Sequence, residues 1–109
     1  MDIQIKQGPQ CHTSNCYTYR NGDIKYIVIH FTSNNGDTAL NNCNYFSGAN
    51  RGASAHYFIG DDGIYQSVPD KWAAWAVGGT SVYKHADCRN KNSISIEMCC
   101  SGNYTVSEQ

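Results

Sequence analysis

Lys25-Tyr26-Ile27-Val28-Ile29-His30-Phe31-Thr32 is the stretch on which the reading of this chain turns. Four consecutive apolar residues, rich in β-branched side chains, predict a strand over 25–31 that is buried on both faces. It runs into the polar loop Thr32-Ser33-Asn34-Asn35-Gly36. His30 therefore stands at the carboxyl end of a central strand, where ligands gather in parallel or mixed sheets. From this segment alone, His30 is equally a metal-competent group at a cleft or a buried histidine satisfied by hydrogen bonds.

Working outward, residues 1–23 read as an irregular arm, with turn signals at Gly8-Pro9, Asn15 and Asn21-Gly22-Asp23. Beyond the loop, Asp37 is placed to cap a helix near 38–46. Leu40, Cys43 and Phe46 would share its inner face, with Asn41, Asn42 and Asn44 on the other. Ala55-His56-Tyr57-Phe58-Ile59 and Ile64-Tyr65-Gln66-Ser67-Val68 predict two strands of a hairpin, joined across Gly60-Asp61-Asp62-Gly63. Ser93-Ile94-Ser95-Ile96-Glu97-Met98 alternates as a strand, with both isoleucines on one face and Glu97 on the other. Strand, helix, hairpin and strand in this order give an α/β domain, a mixed central sheet flanked by helices, over residues 1–109. Thr105-Val106-Ser107-Glu108 reads as the start of a further helix, as if the chain were cut short.

Composition narrows the classes. With 109 residues the chain is one domain, and a net charge of −1 with 16% charged residues leaves no basic footprint for nucleic acid. Its longest apolar runs are too short to cross a membrane. Met1-Asp2-Ile3-Gln4-Ile5-Lys6 lacks the apolar core of a signal peptide, so the expectation is synthesis in the cytoplasm. Six cysteines admit a disulfide framework, but Cys43 on a helix face and the adjacent Cys99 and Cys100 favour reduced thiols. Cys11 and Cys16 are the expected exception. A small disulfide-stapled secreted protein is the competing class, which titration of the thiols in denaturant distinguishes.

Five segments occur in one order: Tyr26-Ile27-Val28-Ile29-His30-Phe31-Thr32, Arg51-Gly52-Ala53-Ser54-Ala55-His56-Tyr57-Phe58-Ile59, Asp62-Gly63-Ile64-Tyr65-Gln66, Ala74-Trp75-Ala76-Val77-Gly78-Gly79, and Asn92-Ser93-Ile94-Ser95-Ile96-Glu97. Together they resemble the zinc-dependent N-acetylmuramoyl-L-alanine amidases of type 2. That family includes phage endolysins and bacterial autolysins and shares its fold with peptidoglycan recognition proteins. Each motif alone is weak; five in register are specific.

The resemblance implies Zn2+ as cofactor, peptidoglycan as partner, and hydrolysis of the amide between N-acetylmuramic acid and the L-alanine of the stem peptide at the bacterial cell wall. It makes His30 the first zinc ligand and Glu97 the catalytic acidic residue that faces the metal and handles water. Trp75, Gly79 and Asn92 become substrate-binding residues. A zinc with three protein ligands keeps a position for water. In the family the other two ligands, a histidine and then an aspartate or cysteine, follow a helix downstream of the Glu97 strand, where this chain has ended. Either the 109 residues are a fragment, or a second polypeptide or self-association completes the site, or the metal is lost. Within the chain, His85 and Cys88 form a His-x2-Cys pair that with His30 would make a His2Cys set, though they read first as part of a groove loop. His12 and His56 read as structural. Two further departures are Ala55, where many relatives carry a tyrosine near the metal, and Ser95, where relatives usually have glycine. The alternative to an enzyme is a non-catalytic muropeptide-binding module of the same fold. A sheet without its covering helices would also expose an apolar face.

Overall fold

A computed structural model describes residues 3–34, 36–77 and 86–99. Seven strands and one helix follow in the order β1 (Ile5–Gln7), β2 (Cys16–Tyr17), β3 (Tyr26–Phe31), α1 (Ala39–Phe46), β4 (Tyr57–Gly60), β5 (Gly63–Gln66), β6 (Ala73–Ala74) and β7 (Ser93–Met98). Five of them form one mixed sheet in the order β1-β5-β4-β7-β3, and β2 pairs with β6 as a separate ribbon. The expected α/β architecture with a mixed sheet and a helical layer is present.

The β4–β5 hairpin turns through Asp61 and Asp62, with Gly60 opposite Gly63. Gly63 takes φ +119°, a conformation L side chains rarely adopt. Gly60 answers a different demand. A Cβ there would lie 2.8 Å from Asp62 Oδ1 and 3.0 Å from the Ala39 nitrogen. That space is kept because Asp62 reaches across to the helix, accepting hydrogen bonds from Ala39 N at 2.9 Å and Leu40 N at 3.0 Å. A carboxylate on the first free N–H groups of a helix satisfies orphan donors and matches the dipole. The residue in the cap position is Thr38, whose Oγ1 accepts from Asn41 N at 3.1 Å, and not Asp37 as the sequence predicts.

Three further expectations are corrected. The segment 25–31 predicts a central strand buried on both faces, yet among the described residues β3 is the edge of the sheet, paired only with β7. Its inward residues Tyr26, Val28 and His30 are half-buried, whereas Ile27, Ile29 and Phe31 are 69%, 64% and 53% exposed. The register places Ile5, Ile64, Ile59, Met98 and Phe31 on that same side, with Ile29 and Ile96 beside them, so among the described residues the face away from α1 is an apolar surface with no layer over it. On α1, Leu40 is exposed while Ala39, Asn42 and Cys43 are buried, which rotates the inner face by about one residue. The third is the arm. Ile5–Gln7 adds a parallel strand beside β5, and Asn15 is fully buried. Its amide donates to Phe46 O (3.0 Å) and Gly48 O (2.8 Å) and accepts from Arg51 N (2.7 Å) and Gly52 N (3.3 Å), closing the carboxyl end of α1.

The core lies between α1 and the sheet, where Ala39, Cys43, Ala55 and Phe58 pack with Phe46, Tyr65 and Cys99. Phe46 stacks on Phe58 with centroids 5.6 Å apart. A second cluster, Cys11, Cys16, Val68 and Ala74, anchors the arm. All five described cysteines are free thiols, Cys11 and Cys16 included, so the expected exception to reduced thiols is not seen. Burial pushes the Cys11 thiol up to about 12 and also raises Cys16. Cys100, and the helix start expected near Ser107, lie outside the described residues.

Candidate active site

Parallel pairing of β3 with β7 sets His30 directly opposite Glu97. Residues opposed in this way point to the same side of the sheet, here the α1 side, as does Phe58 on β4. His30 Nδ1 lies 3.6 Å from Glu97 Oε1, an ion-pair separation longer than a hydrogen bond. The other carboxylate oxygen, Oε2, is buried and has no hydrogen-bond partner among the described residues. Burial pushes the Glu97 carboxyl up from its ordinary value. His30 pulls in the opposite direction, and Asp37 adds a smaller upward push.

Asp37 comes from the β3–α1 loop and is held by Asn42, whose Nδ2 donates to Asp37 Oδ2 at 2.6 Å. The same amide nitrogen lies 3.4 Å from Cys99 Sγ, one residue beyond β7. Burial, with Asp37, Asp62 and Glu97 around it, raises the Cys99 thiol to about 12, so it stays protonated at neutral pH. A groove of about 420 Å³ is lined by Asn34, Asp37, Asn41, Asn42, Tyr45 and Phe46. Sequence reasoning assigned the asparagines to a solvent face and missed this groove. The available signal was three asparagines among the eight residues of α1, poor helix formers that offer both donors and acceptors.

The other residues singled out from sequence lie elsewhere. Asn92 immediately precedes β7, five residues before Glu97, about 16 Å at strand rise. Its side chain is engaged locally, accepting from Arg89 N at 2.8 Å and donating to Asp87 O at 2.9 Å. Cys88 is buried in that same turn, at the opposite end of β7 from His30, so Cys88 and His30 do not come together as the alternative His2Cys reading would need. Trp75 follows β6; the amides of Ala76 and Val77 bond to Asn90 Oδ1, which keeps it at the amino-terminal end of β7. There its ring meets Tyr17 edge-on at 5.3 Å. Gly79 and His85 lie outside the described residues. His12 caps a 3₁₀ turn by accepting from Ser14 N, and His56 is fully buried, so both are structural as expected. Ala55 is buried in the core and Ser95 beneath the sheet face, its hydroxyl without a partner among the described residues.

Among the described residues, no group of three or more His, Cys, Asp or Glu could hold a metal ion. His30 and the unpartnered Oε2 of Glu97 fit one corner of a zinc site, short of the three protein ligands a catalytic zinc requires.

The comparisons with known proteins converge. The protein named "Probable N-acetylmuramoyl-L-alanine amidase" of Bacillus licheniformis is 32% identical over 93 residues, which are 79% of this chain and 26% of that protein. The chain thus spans about a quarter of the length of that relative. Among solved structures, a mutant endolysin from Bacillus subtilis superposes with a TM-score of 0.72 at 26% identity, covering 93% of this chain and 63% of the other. PlyL superposes at 0.69 and 29% identity, covering 97% and 62%. The sequence profile of the family described as N-acetylmuramoyl-L-alanine amidase matches residues 20–109, most of the chain, and the chain belongs to that family.

Proposed function

We propose that the domain hydrolyses peptidoglycan at the amide between N-acetylmuramic acid and L-alanine, with zinc held in part by His30. The observation that carries this reading is the His30–Glu97 pair at the carboxyl ends of two adjacent parallel strands, with one buried carboxylate oxygen unpartnered. A zinc bound there supplies a water of lowered pKa and polarises the scissile carbonyl. The remaining ligands come from outside the described residues. Glu97, whose carboxyl burial raises above its ordinary value, is suited to accept a proton from water and return it to the leaving amine. The groove offers the exposed amides of Asn34 and Asn41 to peptide and acetamido groups, with Tyr45 as an aromatic edge. Trp75 with Tyr17 and Tyr19 presents an aromatic surface a strand's length away, suited to a more distant part of the polymer. The place of action is the bacterial cell wall. Among the described residues no helix is long and apolar enough to cross a membrane.

Purified cell walls incubated with the zinc-supplied chain should release new L-alanine amino termini, identified by mass spectrometry. Glu97→Gln should lower that rate by about a hundredfold or more, and His30→Ala should lose bound zinc. Retention on cell walls without new amino termini would replace this reading with the non-catalytic binding module.

A further inference from the structure

We propose that Arg20 and His56 are positioning residues that lock the register of β7 and so hold Glu97 opposite His30. This rests on the reading of Glu97 given above. The contacts begin at the short backbone ladder between β4 and β7. Only three residue pairs join them, Tyr57 with Ile96, Phe58 with Glu97 and Ile59 with Met98. His56 extends that ladder by one rung, using its backbone on one side and its side chain on the other. His56 N donates to Ser95 O at 3.1 Å, and Ser95 N donates back to His56 Nδ1 at 3.1 Å. Ser95 and Glu97 are two residues apart on one strand, so they share the face that looks toward α1.

An Nδ1 that accepts a backbone N–H must be unprotonated, so in a neutral ring the proton sits on Nε2. Nε2 lies 2.9 Å from Trp72 O and donates to it. Arg20 donates to the same carbonyl at 2.7 Å, with Nη2 3.0 Å from His56 Nε2. The rest of its fork gathers the backbone leading into β7: Nη1 donates to Lys91 O at 3.0 Å and Ser93 O at 3.1 Å, with Asn90 O at 3.5 Å, while Nε donates to Asp70 O at 3.0 Å. One guanidinium thus ties together the start of β7 and the segment before β6, and it meets the imidazole that holds Ser95 through the Trp72 carbonyl to which both donate. A lysine has no planar fork with which to do this. On its other side β7 pairs with β3 over six residues, His30 opposite Glu97 among them, so the His56 rung and the Arg20 fork brace from the β4 side a strand whose other edge carries the ladder to His30.

The test uses four variants of the whole chain. His56→Gln keeps an acceptor and a donor on one side chain, His56→Leu keeps only volume, Arg20→Lys keeps charge without the fork, and Arg20→Ala keeps neither. Two readouts are independent of hydrolysis: exchange of the Ser95 amide, and the NMR cross-relaxation between the His30 ring and the Glu97 side chain. The expected result is that both persist in His56→Gln and are lost or weakened in folded His56→Leu and Arg20→Lys. On cell walls, kcat should fall by about a hundredfold in the latter two with KM within about twofold, since an ångström of misplacement can cost that much. If His56→Leu or Arg20→Ala does not fold, the Gln and Lys variants decide. A folded Arg20→Lys or His56→Leu with unchanged Ser95 exchange and unchanged His30–Glu97 cross-relaxation overturns the proposal, whatever the hydrolytic activity.

Discussion

Replacing Asn15 by leucine tests whether the arm is part of the folded unit or only precedes it. The side chain is wholly buried and uses its full amide capacity on four backbone groups. Leucine has similar volume, so the packing against Cys11, Cys16 and Phe46 changes little and the loss is mainly in hydrogen bonding. Arg51 and Gly52 are exposed, so water can replace the amide at their N–H groups at small cost. Phe46 and Gly48 are half-buried, and their carbonyls lose a donor close to the core. At about 1 kcal/mol for each of two lost bonds, and about 1 more for desolvated carbonyls left short, the sum is roughly 3 kcal/mol. For a domain of this size that lowers Tm by about 12–24 °C. Thermal melts followed by circular dichroism measure it, with Thr13→Ala as an exposed control in the same turn. Asn15→Asp keeps the acceptor for Arg51 and Gly52 but turns an oxygen toward two carbonyls, so it should be at least as damaging at neutral pH. A loss below about 1 kcal/mol for the leucine variant would refute the assignment of Asn15 as the clamp on α1.

Three other outcomes are expected. Asp62→Ala removes the carboxylate from the first N–H groups of α1 and should cost about 1–2 kcal/mol, read from denaturant midpoints; no change would mean that Thr38 alone suffices as cap. His56 is held neutral because burial lowers its pKa from 6.5; the nearby Arg20 charge also lowers it, while the Trp72 carbonyl and Asp70 oppose the shift. The unfolded chain therefore takes the proton first. Stability should be full above about pH 6.5 and fall as pH drops from there through the folded-state value, a limb that His56→Gln abolishes. The same acid limb in the glutamine variant would assign it to other groups. Finally, Ile29 is 64% exposed on the open face, so Ile29→Lys should reduce self-association of the chain in sedimentation velocity; a parent chain that is monomeric at all concentrations would contradict this.

The sequence by itself determined the elements whose periodicity is local. Ser93–Met98 is a strand with Glu97 facing away from the isoleucines, and the Asp-Gly turn makes a hairpin, as read. The resemblance of five ordered motifs assigned His30 and Glu97 to one site, long-range information no single stretch contains, and the parallel β3–β7 register sets the two opposite each other. What tertiary structure decided was position. Apolar runs of the same composition serve a central or an edge strand, so nothing local told that β3 would lie at the sheet's edge. Asn15 and Arg20 looked like loop residues because their partners are thirty or more residues away, carbonyls and amides whose identity does not appear in side-chain chemistry. Asn42 and Leu40 exchanged places because an amide buried against Asp37 and Cys99 outweighs the hydrophobic gain of turning one leucine inward. The segment around Cys88 and Asn92 stayed a strand's length from His30 for the same reason, since proximity in a parallel sheet is set by strand register and not by spacing along the chain.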